Sequence, residues 1–178
     1  LKVPIILFSF LPPDISIKDI FEVNAEAHAR FSALSRTYEY HCVMEKNVFK
    51  REYAMRLYNV PDFELMNKAA SMLKEFSDFT SFSKLHTDVK TNICKIIRAE
   101  WRWNETEAVF TIEADRFLRN MVRAITGTLL DVGNGKMSLD EFRKVIESKN
   151  RCNAGASLPA QGLFITNISY PEEIYKIV

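Results

Sequence analysis

Residues 96–115, IIRAEWRWNETEAVFTIEAD, and residues 117–133, FLRNMVRAITGTLLDVG, decide the fold class. In and just before the first, Ile93, Ile97, Ala99, Trp101 and Trp103 alternate with Arg98, Glu100 and Arg102. A turn falls around Asn104-Glu105-Thr106, and AVFTIEAD keeps a period of two. That pattern predicts a hairpin with one apolar face. The second stretch has the period of a helix, with Leu118, Met121, Val122, Ile125 and Leu129 on one side. Arg116, Arg119 and Arg123 fall on the other side, within an arc of about 60°. The strip reads in two ways. It is the solvated side of an amphipathic helix, or it presents guanidinium groups to an anion, a task suited to their planar, permanently charged fork. Gly133 closes the helix, and Gly135 is placed for a C-cap.

Outward from this centre, SRTYEYHCV at 35–43 alternates: Arg36, Tyr38, Tyr40 and Cys42 share one face, and Ser35, Thr37, Glu39 and His41 the other. Asn59 or Asp62 caps a helix running to about Lys74, with Pro61 near its first turn and Met66, Ala69, Ala70 and Leu73 as its buried stripe. Ser138 and Glu141 form a capping box for a further helix, with Met137 and Phe142 at the staple positions. Arg151–Gln161 is a loop rich in small residues, and Gly162–Tyr170 is the last strand. Near the start, Val3–Phe10 and Ile15–Val23 read as extended. From Ser35, setting aside the helix at Ser138, the order is strand, helix, strand, strand, helix, strand. This predicts an α+β fold of the ferredoxin-like, split βαβ kind, a mostly antiparallel sheet with helices on one face. Residues 1–34 are then a lead-in and 35–178 the α+β domain.

The totals bound the function. With 47% hydrophobic and 26% charged residues among 178, the composition is that of a globular domain. The formal net charge of +1 means that any nucleic-acid contact must come from a local basic surface. Cys42, Cys94 and Cys152 are odd in number and form no CxxC, which points to reduced thiols and a cytoplasmic setting. His28, His41 and His86 are scattered, so no metal is expected. No apolar run approaches membrane-spanning length. The chain opens on Leu1 rather than methionine and reads like the middle of a longer protein.

Phosphate-loop, dinucleotide and GxSxG motifs are missing from the sequence. What remains is aromatic and basic. Tyr38 and Tyr40 project from one strand face beside Arg36, an arrangement that serves either a core or a stack of bases worth roughly 1–3 kcal/mol each. Lys84, His86, Lys90, Lys95, Arg98 and Arg102 add basic character around the hairpin. Leu163 reads as an ordinary core residue.

AHARFSALSRTYEY at 27–40, DFTSFSK at 78–84, DRFLRNMVRAITGTLLDVG at 115–133 and SLPAQGLFITNISYP at 157–171, with FSFLPPDI at 8–15, together resemble the tRNA pseudouridine synthase A (TruA-type) family. The resemblance implies an isomerase that detaches uracil from its ribose in the anticodon stem-loop of tRNA, rotates it and rejoins it through carbon. It implies no cofactor and no metal, a homodimer, and two related α+β halves around a cleft. The family's nucleophile is an aspartate in a GRTDxGVHA-like motif. None of this chain's aspartates has that setting. The chain is therefore expected to be the C-terminal portion, inactive alone, with no partner for the arginine that pairs with that aspartate. By resemblance that arginine is Arg123, left open to water. Tyr38 matches the tyrosine that stacks on the target base, and Leu163 the apolar wall of the uracil pocket. Arg30, Arg36, Arg116 and Arg119 are expected RNA contacts. Arg116 departs from a usual small residue, and Asn120 from a common histidine. The alternative is a non-catalytic RNA-binding module of the RRM type, which shares the element order but needs an aromatic motif on its third strand that is missing here.

Overall fold

The computed structural model describes residues 10–84 and 90–175. They fall into two compact units, Ser35–Ser169 and a smaller one combining residues before 35 with residues after 169. In the smaller unit the Ile15–Val23 stretch forms no strand; Val23 makes a single bridge to Tyr175. The Tyr170 hydroxyl donates to the Ala29 carbonyl at 2.6 Å. Most of the Val3–Phe10 run lies outside the described residues.

The larger unit contains β1 (Ser35–Val43), β2 (Met55–Arg56), α1 (Phe63–Met72), β3 (Ile96–Trp103), β4 (Glu107–Ala114), α2 (Met121–Gly133), α3 (Leu139–Glu147) and β5 (Leu163–Ser169). The antiparallel order is β5-β1-β4-β3, and the two residues of β2 pair parallel with the end of β1. This is the α+β, split βαβ arrangement expected. Tyr40, Phe110, Ile112 and Trp101 are fully buried on the sheet face that receives Met66 and Ala70 from α1, Leu73 just after it, and Met121, Ile125 and Leu129 from α2.

Local chemistry sets the boundaries. Asp62, not Asn59, caps α1 by accepting from the Leu65 amide at 2.8 Å. The Ser138–Glu141 box is complete in both directions. After α2, Gly135 has a φ of 69°. Its amide reaches the Val132 carbonyl while that of Lys136 reaches Asp131, the paired bonds of a Schellman close.

Two expectations are corrected. The β3–β4 register shifts between Ile96 and Arg98, so Ile97 is the extra residue of a bulge. Ile96 turns inward at 6% exposure and Ile97 is left 47% exposed, against the alternation read from sequence. The helix at 117–133 begins at Met121, not Phe117. Phe117 packs edge-on against Tyr38 at 5.1 Å and Leu118 is buried, and Asn120 then takes a left-handed φ of 69°. Those demands leave residues 115–120 outside the helix. The three-arginine strip is therefore no helix face, because only Arg123 lies within α2. Nor is α2 amphipathic in the expected way: Ala124, Thr126, Gly127 and Thr128 are buried as well.

What covers that second side of α2 is the loop from Arg151 to Gly162. The Thr128 hydroxyl accepts from the Gly155 amide at 2.9 Å, and the Leu158 amide donates to the Arg123 carbonyl at 3.2 Å. The fit leaves no room for a Cβ at Gly127, which would stand 1.9 Å from the Ala156 carbonyl oxygen. Gly127→Ala should therefore cost about 1–3 kcal/mol of stability through overpacking. That outweighs a helix-propensity gain of about 1 kcal/mol. Urea denaturation checks the sign; a stabilised variant would show that the loop does not press on the helix.

Candidate active site

Arg123 enters from the first turn of α2, and its Nε donates to the carbonyl of Leu158, whose amide binds the Arg123 carbonyl in return. One donor of the guanidinium is thus fixed by the loop while the group stays half-buried at the wall of an open cavity of about 790 Å³. Leu163, the first residue of β5, lines the same cavity with Ala160, and the polar lining is Lys84, Arg119, Asn120 and Arg151. Among the described residues four cations and no carboxylate line it. Among the described residues Arg123 forms no ion pair.

The loop carrying the apolar wall is held at each end. The Arg151 guanidinium donates to the Ala154 and Gly155 carbonyls and to the Ser157 hydroxyl, which also accepts from the Asn120 amide. Further along, the Tyr40 hydroxyl donates to the Pro159 carbonyl at 2.8 Å. Gly162 lets the chain pass over that ring, where a Cβ would lie 2.8 Å from the His41 carbonyl and 3.0 Å from Tyr40. Burial, and then the neighbouring Cys42, push the Tyr40 hydroxyl well above its ordinary pKa, although Arg123 pulls the other way. Tyr40 is thus a neutral donor at any physiological pH.

The residues singled out from sequence divide. Arg123, Leu163 and Arg119 meet in the cavity. Tyr38 is not part of its lining. It stands on the same sheet face two residues from Tyr40, the partner of Leu163 in the β1–β5 register, and is half-buried against Phe117. Arg36 donates to the Asp115 carbonyl at 2.6 Å. Arg116 lies in the turn before α2, close enough to Cys94 to act on its thiol, and does not line the cavity. Arg30 belongs to the smaller unit, with its guanidinium 5.6 Å above the Phe31 ring. The basic run on the hairpin is compensated, because Arg98 and Arg102 both pair with Glu100. His86 lies outside the described residues. Tyr38 and Tyr40 face the helices and Tyr40 is fully buried, so they form no open platform of the RRM kind. Sequence reasoning missed Arg151 and Leu158 as parts of the site, and weighed Tyr40 as core or stacking ring without its bond to the Pro159 carbonyl. Each acts through a backbone carbonyl or lines the wall, and no motif announces such contacts.

The tRNA pseudouridine synthase family matches residues 69–171, from α1 through β5. The chain belongs to the tRNA pseudouridine synthase family. It is 59% identical to tRNA pseudouridine synthase A of Bacteroides fragilis, over 93% of this chain and 66% of that protein. The corresponding protein of Bacteroides thetaiotaomicron is 57% identical, over 93% of this chain and 63% of its own length. Across a wider distance, that of Bacillus pumilus is 38% identical, over 94% and 68%. The chain therefore spans just under two thirds of the length of the Bacteroides relatives. The family assignment drawn from sequence resemblance stands.

The Tyr40 contact makes a prediction of its own. Tyr40→Phe strands the Pro159 carbonyl and should cost about 1–3 kcal/mol at neutral pH. The sign of the pH dependence is separate. Folded Tyr40 keeps its proton while the unfolded chain releases it near pH ~10, so this residue's contribution is intact below that pH and falls above it. Between about pH 9 and pH 11 the variant should lose less stability than the parent. Equal losses would mean that Tyr40 is not held neutral.

Proposed function

We propose that this chain is the arginine-bearing, RNA-facing part of an enzyme that converts uridine to pseudouridine in the anticodon stem-loop of tRNA. The nucleophilic aspartate comes from outside these 178 residues, and the chain alone is inactive. The working enzyme is a cytoplasmic homodimer that uses no cofactor or metal. The observation that carries the reading is Arg123: half-buried, aimed by the Leu158 carbonyl and, among the described residues, free of any ion pair and set in a cavity lined by no carboxylate. An incoming aspartate would find its charge opposite there. The guanidinium would lower its pKa, keep it ionised and fix its direction, as a nucleophile requires.

The other residues supply binding. A uridine drawn out of its stack pays a few kcal/mol that an aromatic face offsets in part, the task proposed for Tyr38. Leu163 and Ala160 give the base an apolar wall. Lys84, Arg119 and Arg151 attract the flanking phosphates, with Arg36 and Arg116 as outer contacts, and Arg30 contributes an RNA contact from the smaller unit. In the reaction the N1 glycosidic bond breaks, the base turns, C5 bonds to the ribose carbon that N1 left, the C5 proton leaves to solvent and N1 takes up a proton.

Release of tritium from tRNA labelled at uridine C5 tests the proposal. The 178-residue chain should release none, and the longer protein that carries it should turn over. In that protein Arg123→Ala should lower kcat on the order of 100-fold with little change in KM, the factor that corresponds to a lost charge-assisted pair of about 3 kcal/mol. Turnover by the chain alone would refute the missing nucleophile, and an unchanged kcat would remove Arg123 from the mechanism.

A further inference from the structure

The segment that walls the Arg123 cavity has cations on its other side too. Ala160 lines that cavity, and its neighbour Gln161 lines a second, of about 430 Å³, with Glu45, Lys46, Lys50, Arg51 and Arg56. Four cations meet one carboxylate there, in a chain of formal net charge +1. The Gln161 side chain donates to the carbonyls of Arg51 and Ala54, each at 3.1 Å, so the cation-bearing loop is fastened to the wall of the first cavity. Lys50 is paired with Glu107, and Arg51 with the exposed Glu52. Arg56 forms no ion pair among the described residues and lies over the Tyr58 ring at 5.1 Å. Around them, Phe49, Tyr53 and Tyr58 are 88%, 61% and 84% exposed.

Rings in water beside cations are what single-stranded nucleic acid binds: bases stack on the rings, and phosphates take the charge. Burial in a two-fold interface with a second copy fits less well, because an isologous contact would set this cationic patch against its own like. We propose that the surface from Lys46 to Tyr58 is a second RNA-contacting site. It takes a phosphate and an unstacked base of the strand that crosses Ala160-Gln161 from the Arg123 cavity. The inference rests on the reading that the ligand is tRNA, and adds where a neighbouring stretch of that RNA lies.

Binding of the 178-residue chain to unmodified tRNA, measured across a series of NaCl concentrations, tests it. Lys46→Ala with Arg56→Ala should weaken binding and reduce the slope of log Kd against log[NaCl] by about 1–2. Tyr58→Ala should weaken binding about 5- to 100-fold with the slope unchanged. All three side chains are exposed, so circular dichroism should not move. Arg119→Ala, in the first cavity, is the control. If it alone weakens binding, the tRNA reading stands and the second site is wrong. A chain that binds no tRNA overturns both. If the double variant instead changes the sedimentation coefficient and leaves RNA affinity intact, the surface is a contact between copies and the inference fails.

Discussion

Arg123 and Leu158 hold each other twice, backbone to backbone and side chain to backbone, and the rest of the site depends on that reciprocity. The helix bond places the loop, and the loop carbonyl places the guanidinium. Neither can shift alone without stranding a polar group in a partly buried setting, where an unmet partner costs more than a made bond returns. The need for close approach explains the small residues where helix and loop cross: Gly127 under Ala156, and Thr128 turned to Gly155. It also explains why α2 is buried nearly all round. One flank packs on the sheet core, the other lies beneath the loop, and the cavity receives a single charged residue from α2.

Much of this fold was legible because short-range chemistry enforced it. The span of SRTYEYHCV is that of β1, the capping box at Ser138 forms as written, and the stripe from Met66 to Leu73 is buried as spaced. The failures share a cause in contacts between segments distant in sequence. Periodicity extends smoothly back from Met121 to Phe117, and nothing local forbids a helix there. It is Tyr38, some eighty positions earlier, that claims the Phe117 ring. Likewise the Ile97 bulge is invisible in an apolar pair, where either isoleucine suits the core until register with Ala114 and Glu113 selects Ile96. Spacing put Arg123 among three arginines that could face an anion, but its particular role, and Leu163 altogether, came only through family resemblance. Arg151 went unnoticed, and Tyr40 was weighed only as core or stacking ring, because both act on backbone carbonyls, which a sequence does not display.

Near-neutral overall charge conceals a sorted surface. On the sheet face away from the helices cations meet an acid: Arg98 and Arg102 share Glu100. Around the Ala160-Gln161 segment the balance reverses: among the described residues eight cations line two cavities against one carboxylate. Exposed pairs add little to stability, so the first arrangement mostly cancels field rather than strengthening the fold. The second is compensated only in part, by Glu107 at Lys50 and Glu52 at Arg51. Partly walled hollows lined by one sign of charge focus field, raising the local concentration of an anionic ligand and its rate of arrival.

Asn120 shows how a departure from a family pattern can leave the site's electrostatics unaltered. Its φ of 69° lies in a region that asparagine tolerates better than most side chains, and this one residue converts the extended run of Phe117-Leu118 into the start of α2. Its amide donates to the Ser157 hydroxyl, the same oxygen that accepts from Arg151, so the beginning of the helix and the beginning of the loop are tied at one atom. Both lone pairs of that oxygen are thereby used. A histidine at this position would stand among the four cations of the cavity, and like charge would drive its pKa down until the neutral ring prevailed. A neutral amide in its place changes no charge. It supplies a donor that does not titrate, in a backbone conformation that its side chain accommodates.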